Sequence, residues 1–315
     1  MSLHVIKAGL QSSLQGVPYR GHRHIGMPAA GAADCLSLAF ANHLVGKEYG
    51  ALAIEITLDD AKFSIGKKST LALAGASSFL RINGSDQPKY EAVAVKPGDI
   101  VHIGSAKQGC RSYLALSGTF CAQSLLGGQS TYLPAGLGGF SGRSLLDGDD
   151  LDWTDPATMP PPTAPMPAKL QTRITNDFII RITDGPECDW LAPRSKANLT
   201  ESVWEIGNQT SRMGISLNGR PLQITGSANM HSAPAFSGTV QCPPNGQPFL
   251  LGPDAQTTGG YPRIAQVIRA DRHLIGQLRP GGRIQFVAIT PKRATEIYRE
   301  KLVQLTRWAG NIHLW

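Results

Sequence analysis

The chain has 315 residues, 41% hydrophobic and 17% charged, which is enough apolar material for one large core or two ordinary ones and too much for global disorder. Its formal net charge of +7 comes from scattered Lys and Arg rather than from a basic run, so no nucleic-acid partner is indicated. Five cysteines at wide spacing, none in a CxxC pair, fit neither a secreted disulfide framework nor a thiolate zinc site.

The opening residues, MSLHVIKAGLQSS, lack the apolar run of a signal peptide, and no apolar stretch reaches membrane-spanning length, so a cytoplasmic protein with no membrane partner is expected. A helix is expected in AADCLSLAFANHLVG from Ala32. Leu36, Ala39, Phe40, His43 and Leu44 follow a helical period, Asp34 suits the dipole of the first turn, and Gly46 can stop the helix. Strands are expected over 52–58, 68–75, 77–84, 91–104 and 111–118, with turns at Asn83–Gly84 and Pro97–Asp99. The Gly-rich stretch 125–151 lacks the Gly-Lys-Ser/Thr ending of a phosphate loop, and the βαβ alternation of a dinucleotide fold is missing.

Proline density makes 156–170 a linker or surface strap. Strand patterns resume at 177–185, 202–207, 221–226, 238–243, 247–252, 261–268 and 281–289, and an amphipathic helix is expected over 293–308. The reading is a mainly β protein with few short helices and two barrels or closed sheets. One β domain spans 1–155, a second spans 171–291, and 292–315 form a helix and tail.

His22 and His24 share a strand face, but no third ligand stands at close spacing, so no metal site is expected. There is no GxSxG nucleophile, and no cysteine has a visible reason for a lowered pKa. Three polar clusters remain. In GAAD, Gly31–Asp34, backbone amides can receive an anion, or Asp34 can cap the helix. In NQTSRMG, Arg212 offers a fork for a carboxylate or phosphate, or forms an internal salt bridge. In DAQTTGGYP, 254–262, Asp254 is a carboxylate and Gln256, Thr257 and Thr258 are neutral donors and acceptors, as is Gln241 upstream. Gly259 and Gly260 let a ligand approach the backbone. That mixture suits a small amide, urea or lactam; a structural turn network is the alternative.

The segments LQGVPYRGHRHIGMPAAGAAD (14–34), ANHLVG (41–46), IEITL (54–58), RSYLALSG (111–118), GGFSGRSLLDGD (138–149), SRMG (211–214), VQCPPNGQPFLL (240–251) and DAQTTGGYPRIAQVI (254–268) together carry a resemblance. The chain resembles the biotin-dependent carboxyltransferase-like family that includes allophanate hydrolase subunit 2, and within it the C-type subunits of ATP-dependent 5-oxoprolinase. The resemblance implies two linked cyclophilin-like β-barrels. It implies a subunit, inactive alone, that works with A-type and B-type subunits to convert 5-oxo-L-proline, ATP and water to L-glutamate, ADP and phosphate. ATP would be used by the complex, with no cofactor bound by this chain. A urea or amide carboxyltransferase component, or a non-catalytic ligand-binding regulatory subunit, are the alternatives.

On that reading Asp254 and Gln241 orient the lactam or a water, and Tyr261 forms a wall or donates from its hydroxyl. Arg212 clamps a carboxylate or phosphate. Gln256, Thr257, Thr258, Gly259, Gly260, His24 and Asp34 complete the binding surface. The sequence departs from the family pattern in three motifs. QDxGR reads QGVPY, with Gly16 and Tyr19; GN reads Gly46–Lys47; and YLAxxGG reads YLALSGT, with Thr119.

Overall fold

Residues 3–154, 166–226, 230–310, 312 and 314 are described by the computed structural model, so 156–165 of the linker expected over 156–170 fall outside them. In its last five residues Met166 is buried, its N–H donates to the Tyr90 carbonyl at 3.2 Å, and Ala168–Leu170 form one 3-10 turn. The chain divides into two units. Unit 1 comprises Met1–Tyr19, Ala30–Ile174 and Trp308–Trp315; unit 2 comprises Arg20–Ala29 and Thr175–Arg307. Neither is one continuous stretch, because ten residues near the N-terminus fold with unit 2.

In unit 1, Ala61–Ile65 buries every second side chain, as a strand with one core face must. It sits in a six-stranded sheet ordered Asp150–Leu151, Leu3–Lys7, Ala61–Ile65, Ile100–Ile103, Leu80–Ile82, Ser85–Gln87. A five-stranded sheet runs Gln11–Gln15, Ala53–Thr57, Arg111–Leu116, Ser69–Gly75, Val93–Val95. All six residues of Arg111–Leu116 are buried, because helix α1 (Cys35–Leu44) packs on this strand and on Ser69–Gly75. One cluster holds Leu3, Leu14, Phe63, Leu73, Leu114 and Trp153 as its core.

Unit 2 is a closed seven-stranded barrel. Around the ring run Asp177–Asp184, Arg263–Val267, Thr239–Gln241, Phe249–Leu251, Gly214–Asn218, Val203–Thr210 and Arg283–Ala288. Closure comes from the parallel pairing of Asp177–Asp184 with Arg283–Ala288, in which Ile180 faces Phe286; the other pairings are antiparallel. Closure removes open sheet edges and surrounds Ile180, Trp204, Leu217, Val240 and Phe286. Helix α2 (Pro193–Glu201) begins at a proline, whose fixed φ suits a first turn, and Trp204 donates its ring N–H to the Leu199 carbonyl at 3.1 Å. Helix α3 spans Pro291–Ala309.

The fold is mainly β as expected, and most strands fall where the patterns put them. Residues 221–226 do not form a strand; within them only Ile224 makes an isolated bridge, to Leu191. The segment 91–104 splits into two short strands at the Pro97–Asp99 turn. No helix among the described residues is long and apolar enough to cross a membrane.

Candidate functional site

The stretch 254–262 leaves the barrel after Phe249–Leu251 and returns to it at Arg263–Val267. Its two ends are fixed differently. At the first, Asp254 receives Nε and Nη2 of Arg212 at 2.9 and 2.8 Å, and its N–H donates to the Arg212 carbonyl at 3.0 Å. Both side chains are almost wholly buried, at 3% and 1% exposed. Such a two-pronged ion pair is geometrically specific, and breaking either half would strand a buried charge. Arg212 is therefore not presented to a ligand as an open fork. Of the two readings its sequence left standing, the internal salt bridge is the one formed.

At the second end, Thr258–Gly259 pair with Ala233–Pro234, and Met230 N–H donates to the Gly260 carbonyl at 3.0 Å. Gln241, at 2% exposed, lies under this strand, with Nε2 at 3.5 Å from the Tyr261 carbonyl. A Cβ on Gly259 would come within 2.6 Å of that same nitrogen, so only glycine lets strand and amide approach as they do. Gln256, Thr258 and Tyr261 are exposed while Thr257 is partly buried; Tyr261 is 41% exposed. Cys242, next to Gln241, is fully buried, and burial pushes its thiol up to about 11, so it does not serve as a thiolate nucleophile at neutral pH.

Two arginines at this site were missed from sequence. Arg23, between the two histidines that drew attention, donates Nη2 to the carbonyls of Ala235 and of Thr257, the latter at 3.1 Å. Its guanidinium carbon lies 4.6 Å from the centroid of the Phe236 ring. These partners are carbonyls and an aromatic face, which orient the guanidinium without cancelling its charge. Arg263 donates Nη1 to the Pro234 carbonyl at 2.7 Å and binds Glu187 through Nε and Nη2 at 2.9 and 2.6 Å, which neutralises it. The only signal for Arg23 was its place in GHRHIG. Nothing local told that Arg20–Ala29 fold with residues two hundred positions away.

His24 lies exposed in the 3-10 turn Arg23–Ile25 of unit 2. Asp34 belongs to unit 1, where it is buried as the N-cap of α1. Its Oδ1 accepts from the N–H groups of Leu36 and Ser37 at 3.0 and 2.9 Å, and Oδ2 accepts the Ser37 hydroxyl at 2.6 Å. The Asp34 N–H donates to the Tyr113 hydroxyl at 2.7 Å, which donates to Glu55 at 2.6 Å. Full burial and the neighbouring Glu55 carboxylate hold the Tyr113 phenol well above its usual pKa, so it stays a donor. Of the two roles open to Asp34, capping is the one its geometry performs. Among the described residues no group of three or more His, Cys, Asp or Glu is placed to hold a metal.

Comparison with known proteins gives a consistent picture. Residues 25–288 match the family described as carboxyltransferase domain, subdomain A and B. The C-type subunit of the Escherichia coli K12 5-oxoprolinase is 33% identical over 99% of both chains. The urea amidolyase of Lachancea kluyveri is 30% identical over 93% of this chain but only 17% of its own length. The crystal structure of the Kluyveromyces lactis urea carboxylase superposes on all of this chain with a TM-score of 0.92 at 26% identity; this chain spans 30% of that protein. The chain belongs to the carboxyltransferase domain family, subdomain A and B.

Proposed function

We propose that this chain is the C-type subunit of an ATP-dependent 5-oxoprolinase, which converts 5-oxo-L-proline, ATP and water to L-glutamate, ADP and phosphate. What supports this reading most is the likeness to the Escherichia coli protein, which extends over 99% of both chains rather than over a shared segment. The chain works with A-type and B-type subunits and is inactive alone. It offers no phosphate loop of its own, so ATP is handled by the assembly.

The 254–261 stretch is the substrate surface. Amide resonance makes a lactam carbonyl a poor electrophile, and phosphorylation of its oxygen by ATP makes ring opening feasible. What this chain contributes is orientation. Thr258 and the backbone of Gly259 and Gly260 meet the lactam N–H and C=O, Gln241 supports that strand from beneath, and Tyr261 forms the wall. Arg23 attracts the substrate carboxylate. Arg212 and Asp254 hold the stretch in place as positioning residues. The test is glutamate release from 5-oxoproline with this chain alone, its partners alone, and all together; activity without this chain would reject the reading.

A second reading has its own observation. The superposition on a urea carboxylase supports a component of a urea or amide carboxyltransferase, in which the same polar stretch receives a urea-like amide. Urea-dependent ATP turnover in the assembled complex, with none on 5-oxoproline, would favour it.

A further inference from the structure

Unit 1 contains a cavity of about 310 Å³. That lies at the small end of the range of ligand pockets. Three separate segments wall it: Val17 from the N-terminal strand region, Lys47, Glu48 and Gly50–Leu52 after α1, and Thr119 with Gly127–Ser130. Each segment is tied down. Val17 N–H donates to the Gly50 carbonyl at 3.0 Å, and Gly16 N–H donates to the Ser130 hydroxyl at 3.0 Å, which donates on to the Val17 carbonyl at 2.8 Å. Asn42, in α1, donates to the carbonyls of Tyr49 and Ala51 at 3.2 and 2.7 Å. Tyr19 supports the far wall, its hydroxyl donating to the Ser130 carbonyl at 2.8 Å while its ring lies against Gly128, where a Cβ would come within 2.6 Å.

The polar groups of the wall are unlike in charge. Lys47 is 4% exposed and donates to the carbonyls of Leu52 and Gly118 at 2.9 and 3.0 Å. An ammonium has three donors, so one remains beyond these two bonds. Glu48, the next residue, is exposed at the rim, and Thr119 and Gln129 add a hydroxyl and an amide. Val17, Ala51 and Leu52 are the apolar part. A dianion would meet Glu48 and a cation would meet Lys47, each a like-charge contact. A ligand carrying both signs, or a carboxylate with an N–H donor, satisfies both ends. Four departures from the family pattern fall here: Thr119 and Lys47 on the wall, Gly16 and Tyr19 bonded to Ser130 behind it.

We propose that this cavity is a binding site for a small amino acid, with the ligand carboxylate on Lys47, its ammonium on Glu48 and its side chain against Val17, Ala51 and Leu52. The site stands on the geometry of unit 1 and is independent of which reaction the assembly performs. Burial pushes the Lys47 amine down to about 8, and Glu48 is the other charged group of the wall. Carboxylate binding needs the ammonium form, so affinity falls as pH rises past about 8.

Calorimetric titration of the whole chain with L-norvaline, valerate and 1-pentylamine tests this directly. L-norvaline has both charges, while the other two each lack one. Saturable binding of L-norvaline is expected, with each single-charge analogue weaker by roughly tenfold. Lys47→Met is expected to weaken L-norvaline and valerate by at least about tenfold, and Glu48→Gln to bring L-norvaline down to the level of valerate. Glu48 is exposed, so Glu48→Gln keeps the test alive should Lys47→Met fail to fold. No saturable heat with L-norvaline up to about 10 mM, or unchanged L-norvaline affinity in folded Glu48→Gln, would overturn the assignment.

Discussion

At the scale of single residues, the deciding distinction is between charges that are cancelled inside the protein and charges that are not. Arg212 and Asp254 cancel each other in a buried, two-pronged pair. Asp254→Asn or Arg212→Met leaves one charge without its partner, and a loss of about 3–5 kcal/mol of stability is expected in urea unfolding. A loss under about 0.5 kcal/mol would mean that the pair is as weak as a surface one. Arg23 is the opposite case, held by carbonyls and the Phe236 ring. Arg23→Gln is expected to raise KM for 5-oxoproline in the assembled enzyme by roughly tenfold, with kcat and melting temperature little changed. A fall in kcat at constant KM would assign it to the chemical step instead. In the sequence Arg212 stood as either a fork for a ligand or half of an internal salt bridge. Availability depends on whether a carboxylate folds against it, and that partner is 42 positions away.

At the scale of elements, the strands with one core face were legible because alternation is a local property, as Asp177–Asp184 shows. Helix α1 was legible from its period and its cap. Asp34→Ala is expected to cost about 1–2 kcal/mol by exposing the first-turn amides, a change that urea unfolding resolves. Other elements were hidden for physical reasons. Gln11–Gln15, QSSLQ, is polar yet mostly buried, because Ser12 bonds to the Ala8 carbonyl and Gln15 to the Thr131 carbonyl. Helix α2, PRSKANLTE, is short and mostly polar, and it is fixed by packing rather than by pattern. Within the 254–261 stretch, the glycines were expected to let a ligand approach the backbone; what approaches Gly259 is the chain's own Gln241. Because that contact is with the end of a flexible side chain, Gly259→Ala is expected to displace Gln241 and lower turnover while shifting the melting temperature little. A large stability loss with normal specific activity would show that the contact is purely structural.

At the scale of the molecule, two β units and the family to which the chain belongs were both within reach of its sequence, since motifs spread from 14 to 268 constrain the whole chain. The unit boundaries were not. Arg20–Ala29 fold with unit 2, and no hydrophobic pattern says which sheet a ten-residue loop will join. The pH response is also a property of the whole. Asp99, Asp149 and Glu187 have lowered pKa values, Asp99 mainly from the Lys96 backbone N–H, Asp149 from Arg143 and Glu187 from Arg263. Their stabilisation is fully present above the unfolded carboxylate range, near pH 4–5, and is lost as pH falls through the depressed values. Lys47 acts at the other end. With a folded value of about 8 against 10.5, the unfolded chain holds more protons above pH 8, so its share of stability rises there with pH. Cys242, raised from 9 to about 11, opposes it from pH 9 upward. The difference in stability between the wild type and Lys47→Met, followed by thermal unfolding from pH 7 to 9, is therefore expected to grow in favour of the wild type. A pH-independent difference would contradict the burial of a charged amine.

The central claim is that this chain is one indispensable part of a lactam-opening assembly. The most direct measurement is L-glutamate release from 5-oxo-L-proline and ATP by this chain, by its A-type and B-type partners, and by all three together. Release by the full mixture alone, with one ADP formed per glutamate, is the predicted result. Equal release without this chain, or none from a folded complete complex, would contradict it.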